Sequence, residues 1–250
     1  MNQATSQQAG REENYPFRYI DVITAVFVTV LVVSNIASSA KIIDLGFDFF
    51  GRTDLRAAFD AGTLLFPVSY IFGDILTEVY GYRRSRRVIW LGFGCLMLTA
   101  LVFALVRVLP GEAQWQGYAG QSAYVAILGG ISSGGIVLAS LAGYWGGEFA
   151  NSFVLAKMKI ATRGRRLWAR TIGSTLVGQV VDTVAFFVVA CLFGVFPWSL
   201  FLVLVLTNYL FKCAVEAVMT PVTYLAVDGL KRAEGVDVYD IGTDFNPFQV

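Results

Sequence analysis

The chain reads as an all-α integral membrane protein: six transmembrane helices in one bundle, with both termini in the cytoplasm. Three observations predict this class. Of 250 residues, 56% are hydrophobic and only 15% are charged, against about 25% charged in a soluble domain; a fold in water could not bury that much apolar surface. The apolar residues fall in runs close to the roughly 20 that cross a bilayer as a helix. Lysine and arginine concentrate on alternate connections between those runs.

Residues 1–15, MNQATSQQAGREENY, are polar and expected to be disordered. They carry Glu12 and Glu13 and lack the basic start and cleavage site of a signal peptide. Six spans follow, at about 19–38, 61–80, 88–109, 123–150, 170–194 and 198–227. They make a membrane domain over 16–228, and 229–250 is expected to be a polar cytoplasmic tail.

Orientation comes from the basic residues. The connection after the second span holds Arg83, Arg84, Arg86 and Arg87, and that after the fourth holds Lys157, Lys159, Arg163, Arg165 and Arg166. Arg11, Arg18, Lys231 and Arg232 mark both termini for the same side. On the other side, 41–60 balances its basic residues with four aspartates, and 110–122 and 195–197 have no lysine or arginine.

The fourth span repeats small residues every fourth position: Gly135, Ala139, Gly143 and Gly147. Such a face lets backbones approach closely in lipid. The pattern leaves open whether it serves the chain's own core or a homodimer, and whether the helix breaks near Gly146-Gly147. SNIASSAK and ANSFVLAK place Asn35–Lys41 and Asn151–Lys157 at equal spacing, which suggests two inverted three-helix repeats.

An ionisable residue at the bilayer centre costs on the order of 2.5–3.5 kcal/mol and faces the bundle interior, a partner or water. The second span places Asp74 and Glu78 on one face, extended by Phe66 and Tyr70. Glu78 has a second reading as the partner of an interfacial arginine, Arg83 for example. The sixth span carries a stripe of Asn208, Lys212 and Glu216, and Lys212 needs a carboxylate from among Glu216, Asp74 and Asp182. The fifth span places Gln179 and Asp182 on one face. Glu148 and Asn151 near the end of the fourth span, with Arg170, read as supporting or coupling residues; a Glu148–Arg170 pair is the simplest account of both. Asn35 ends the first span.

Several chemistries are excluded. There is no histidine, which removes the commonest general base and metal ligand. The three cysteines lie in apolar runs and form no CxxC. No GxxxxGK[ST] loop is present. We therefore expect no metal, no cofactor and no nucleic-acid partner, and an energy source in ions, protons or a partner ATPase if transport runs uphill. Carboxylates with amides suit a flat polar ligand. A guanine-type edge offers two donors to one carboxylate and an acceptor for Lys212, Asn208 or Gln179. Phe66, Tyr70, Trp145 and Tyr209 are candidates for stacking. A cationic substrate or a proton relay fits these residues equally well.

The segments FPVSYIFGDILTEVYGYRRSRRVIW, VSNIASSAK, EFANSFVLAKMK, RTIGSTLVGQVVDT and NYLFKCAVEAVMTPVTY resemble the bacterial queuosine precursor transporter family, over roughly residues 19–230. The resemblance implies no enzyme but an inner-membrane importer of a small deazapurine, 7-cyano-7-deazaguanine first, with 7-aminomethyl-7-deazaguanine or queuine as alternatives. It maps the polar motif residues onto Asn35, Asp74, Glu78, Asn151, Gln179, Asp182, Asn208, Lys212 and Glu216. Asp182 or Glu216 is expected to take the guanine-type donors. Two other classes stay open: a substrate-binding membrane subunit that depends on a separate ATPase, and a membrane-embedded enzyme using Asp74 and Glu78 as an acid–base pair.

Overall fold

The computed structural model describes residues 17–48, 56–132 and 134–249; the segment 1–15 lies outside them. The first helix, α1 (Ile20–Ala40), buries Ile23, Phe27 and Leu31 along one stripe. Its Thr24 and Thr29 hydroxyls donate to the carbonyls of Ile20 and Ala25, which satisfies them without water. An antiparallel hairpin follows, β1 (Ile42–Asp48) and β2 (Arg56–Asp60), with Ile43 opposite Phe59. Strand pairing meets the backbone's hydrogen-bonding needs in what the sequence showed only as a connection.

A 3₁₀ turn (Ala61–Leu64) leads into α2 (Phe66–Tyr80). Pro67 lies in the first helical turn, where a missing N–H costs nothing. The expected span 61–80 is thus a regular helix of only 15 residues, about 22 Å long at 1.5 Å per residue. Among the described residues five helices are long and apolar enough to cross a membrane, and α2 is not one of them. Those five are α1, α3 (Tyr82–Val108), the run formed by α5 (Gly120–Ser132) and α6 (Gly134–Ala161), α7 (Leu167–Leu192), and most of α8 (Phe201–Glu234). A short α4 (Ala113–Tyr118) precedes α5.

The helix too short to count among these spans is the most enclosed. α2 packs against α1, α3, α6 and α8, and every residue from Asp74 to Tyr80 is buried. Its carboxylates are therefore screened from lipid by other helices. Large apolar side chains such as Leu98, Leu101 and Leu105 on α3, and Leu210, Val218 and Leu225 on α8, are exposed and form the lipid-facing surface.

The arginine block is not a loop. Arg83, Arg84, Arg86 and Arg87 lie in the first turns of α3, and Gly81 alone separates α3 from α2. Gly81 has φ +84°, and a Cβ there would stand 2.8 Å from Val238, so the corner requires glycine.

α6 and α7 form the closest helix pair, joined by 162–166. A Cβ on Gly147 would stand 2.6 Å from Asp182 Cβ, and one on Gly178 2.8 Å from Asn151 Cβ. The small-residue face of Gly143 and Gly147 is thus used inside the chain, against α7. α6 runs unbroken through Gly146 and Gly147.

α8 continues past residue 228 to Glu234 and ends at Gly235 in the left-handed conformation. The following chain then straps across the end of the bundle. Asp240 accepts from the Tyr82 N–H at 3.0 Å, Arg86 Nη1 donates to the carbonyls of Asp244 (3.0 Å) and Asn246 (2.6 Å), and Trp90 Nε1 donates to that of Pro247 (2.8 Å).

Candidate functional site

A cavity of about 420 Å³ lies between α1, α2, α6, α7 and α8. Its walls run from Gly147 and Glu148 in the middle of α6 to Gly62 and Phe196 in the connections at the hairpin end. This size lies within the ~300–1,000 Å³ usual for small-molecule sites. Five residues expected at the site line it: Asn35, Tyr70, Asp182, Asn208 and Lys212. Phe186, Phe187 and Phe211 add apolar wall, and Ser34, Ser38 and Ser69 add hydroxyls.

Each polar group reaches the cavity from a helix with a local reason for its rotation. On α7, the close approach to Gly143 and Gly147 brings Asp182 against the α6 backbone. Lys212 Nζ donates to Asp182 Oδ2, joining α8 to α7. The amides of Asn35 and Asn208 donate back to their own helices, to Leu31 O at 2.9 Å and Leu204 O at 3.0 Å. This leaves each side-chain carbonyl available.

Other expected site residues lie elsewhere. Asp74 (fully buried), Gln179 (1% exposed) and Glu216 (2% exposed) stand behind the cavity wall rather than in it. Asp74 Oδ1 accepts from Asn151 Nδ2 at 3.1 Å. Gln179 stands beside Tyr70. The Phe66 side chain lies outside the described residues. Trp145 packs its ring against Trp90, Phe149 and Phe248, away from the cavity, and Tyr209 does not line it. Glu148, expected to be supporting, lines the cavity.

Arg170 does not meet Glu148, and Glu78 does not meet Arg83: they meet each other. Glu78 Oε1 accepts from Arg170 Nη2 at 2.6 Å and Lys231 Nζ at 2.7 Å, and Lys159 Nζ stands 3.7 Å away. The reason is the tight α2–α3 corner, which turns Glu78 toward α7 while the arginine block continues along α3. Lys159 also donates to the carbonyls of Glu78 and Val238 and to Asp237, all at 2.6 Å. Burial pushes the Asp237 carboxyl up, but Lys159 and Lys231 outweigh it and hold the group below its ordinary range. Beside this hub, the hydroxyls of Thr77, Ser85 and Ser152 hydrogen-bond one another at 3.0–3.1 Å. The basic end of the bundle is therefore closed by polar contacts, while the cavity occupies the other half.

Sequence reasoning named Glu148 only as a supporting or coupling residue, and it missed the phenylalanine wall. Glu148 lies one turn from Tyr144 on α6, and both line the cavity, so helical spacing was an available signal. Phe186 and Phe187 carried none, because apolar residues in an apolar helix do not announce which face is inward.

No solved structure matches the chain. A family model described as "Putative vitamin uptake transporter" matches residues 60–226, from the end of β2 into the second half of α8. A Bacillus subtilis (strain 168) protein described as "Probable queuosine precursor transporter" is 32% identical over 180 residues, covering 72% of this chain and 74% of its own length. The Escherichia coli (strain K12) "Queuosine precursor transporter" is 26% identical over 129 residues, 52% of this chain and 53% of its own. A "Probable queuosine precursor transporter" of Haemophilus influenzae is 25% identical over 130 residues, 52% of this chain and 50% of its own. The matched region contains α2, the cavity walls on α6 and α7, and the Asp182–Lys212 pair: the chain belongs to the bacterial queuosine precursor transporter family, multi-pass inner-membrane transporters and not enzymes.

Proposed function

We propose that the protein imports a 7-deazaguanine precursor of queuosine through the cavity, by alternating access. 7-Cyano-7-deazaguanine is the substrate proposed first, with 7-aminomethyl-7-deazaguanine or queuine as alternatives. The observation that carries this reading is the cavity's pairing of an aromatic wall with the carboxylates of Asp182 and Glu148, a lysine and two amides.

A guanine edge presents N1–H and N2–H donors beside an O6 acceptor. Asp182 has lone pairs beyond the one Lys212 uses and accepts the two donors. Lys212 has further protons and serves O6. Asn35 and Asn208 address the five-membered side through their side-chain carbonyls. Phe186, Phe187, Phe211 and Tyr70 stack on the ring faces, a contribution of about 1–3 kcal/mol per base in nucleic-acid complexes. The contact set is thus Asn35, Tyr70, Glu148, Asp182, Asn208 and Lys212. Asp74, Gln179, Glu216, Asn151, Glu78 and Arg170 stand behind it.

In this reading α2 is the sixth crossing, short and enclosed by its neighbours. The basic end is cytoplasmic, with both termini there, as the positive-inside asymmetry favours. The cavity then faces outward and the Glu78 hub closes the inner side. Two inverted halves of three helices supply the rocking units.

The test is uptake of radiolabelled 7-cyano-7-deazaguanine in cells unable to make queuosine, with and without this gene. Gene-dependent accumulation and restored tRNA modification are expected; equal uptake in both strains overturns the reading. Uptake by the purified protein in liposomes, with no other protein present, removes the ATPase-dependent alternative.

A further inference from the structure

At and behind the cavity wall, α2, α6, α7 and α8 bring together buried oxygen atoms, and among their residues only Glu148 belongs to the contact set. Asp74 Oδ2, Glu148 Oε2, Asn151 Oδ1, Gln179 Oε1 and both carboxylate oxygens of Glu216 are buried and have no hydrogen-bond partner among the described residues. None of these five residues is more than 7% exposed. Native proteins rarely leave buried acceptors unsatisfied, and each exception calls for an explanation. Here every orphaned atom of the set is an oxygen.

Asp74 interacts electrostatically with Glu216 and Glu148, and Glu148 with Asp182 and Glu216. The other titratable groups facing this region are Tyr70 and Glu78 from α2, Tyr144 from α6, Arg170 and Asp182 from α7, and Lys212, Cys213 and Lys231 from α8. Their cations are engaged: Lys212 meets Asp182, and Arg170 and Lys231 meet Glu78. Desolvation and mutual repulsion both oppose keeping these three buried carboxylates ionised together. Among the described residues no three acidic, histidine or cysteine side chains converge as metal ligands would. Protons would both balance the charge and supply donors to those oxygens.

Glu148 belongs to both sets, lining the cavity and facing Asp74 and Glu216. We propose that Asp74, Glu148 and Glu216 form a proton-binding site that couples substrate uptake to proton entry. The proposal rests on the import reading. Protons from the outer water reach the pair behind the wall through Glu148, one for each carboxylate that is ionised. The loaded, neutral site tolerates closure of the outer side. When the basic end opens, water returns to the carboxylates, each acid gives its proton to that water, and the anions reset the cycle.

The test uses purified protein in liposomes, with the membrane potential clamped at zero and radiolabelled 7-cyano-7-deazaguanine as probe. Substrate exchange at equal pH on both sides is measured first; its absence overturns the import reading and this proposal together. An outside-acid gradient of one pH unit should then drive about tenfold accumulation for each proton moved with substrate. A proton ionophore should abolish the accumulation, and adding substrate should make the outer medium more alkaline. Exchange that ignores the pH gradient overturns the coupling and leaves import standing. Accumulation driven by a sodium gradient instead overturns it as well. Glu216→Gln should keep exchange and lose pH-driven accumulation; wild-type accumulation in that variant removes Glu216 from the site. The wild-type measurements decide the matter even if the variant does not fold.

Discussion

Lys212 of α8 donates to Asp182 of α7, and the pair forms a polar wall of the cavity. Both side chains are about one-fifth exposed, to 21% and 17%. That is open enough to meet a ligand and closed enough for an unpaired charge to be costly. Lys212→Ala and Asp182→Ala should each abolish deazapurine uptake while the protein still reaches the membrane. Removing one partner of a fully buried pair costs about 3–5 kcal/mol, and less is expected at this exposure. The double variant should be more stable than either single one and still inactive, as read by thermal unfolding in detergent and uptake in cells. A double variant with wild-type uptake would show the pair to be structural only.

Glu78 should behave differently. It is fully buried and accepts from Arg170 and Lys231. Glu78→Gln leaves the buried Arg170 guanidinium without its counter-charge, a loss on the order of 3–5 kcal/mol. A clear drop in melting temperature and in folded yield is expected. Glu78→Asp should recover only part of it, because the shorter side chain cannot reach both cations.

The α6–α7 contact offers a steric test. Gly147→Ala puts a methyl 2.6 Å from Asp182 Cβ and 3.2 Å from the Gly178 carbonyl oxygen. Overpacking of this kind costs about 1–3 kcal/mol. Because the clash falls on Asp182, uptake should lose substrate affinity as well as stability. Gly94→Ala, with open space around its site, should change neither.

The strap at the basic end gives a pH prediction. Lys159 and Lys231 lower the Asp237 pKa in the folded state. A depressed carboxylate contributes stability above its unfolded pKa, near 3.9, and loses it as pH falls through the folded value. Protease cutting within 236–250 should therefore rise more steeply with acid, below about pH 4, in wild type than in Asp237→Asn. The comparison isolates Asp237, because Asp240, which burial pushes up, titrates in both proteins. Equal acid sensitivity in the two would place the strap's anchorage elsewhere.

Much of this protein is legible along its sequence. Apolar run length, arginine placement and the motif segments are properties of neighbours in sequence, and they point to a multi-pass helical bundle and its family. The same reading picked out the intramembrane polar residues, because a charge within an apolar run is visible wherever it ends up. It placed the arginine block in a loop because charge alone does not reveal that α3 begins immediately after Gly81.

Partnership was decided only in three dimensions. Helical periodicity shows which residues share a face, but not which helix that face meets. Asp74 and Glu78 share a face, yet one lies behind the cavity with Asn151 and the other in a hub with Arg170 and Lys231. Lys212 had three candidate carboxylates and meets Asp182, because α7 is drawn against α6 at Gly147 and Gly178, which sets its rotation. Glu148 faces the cavity while Glu216 is held behind it. The rotation of each helix about its axis follows from packing against several neighbours at once, which no single segment of the chain contains.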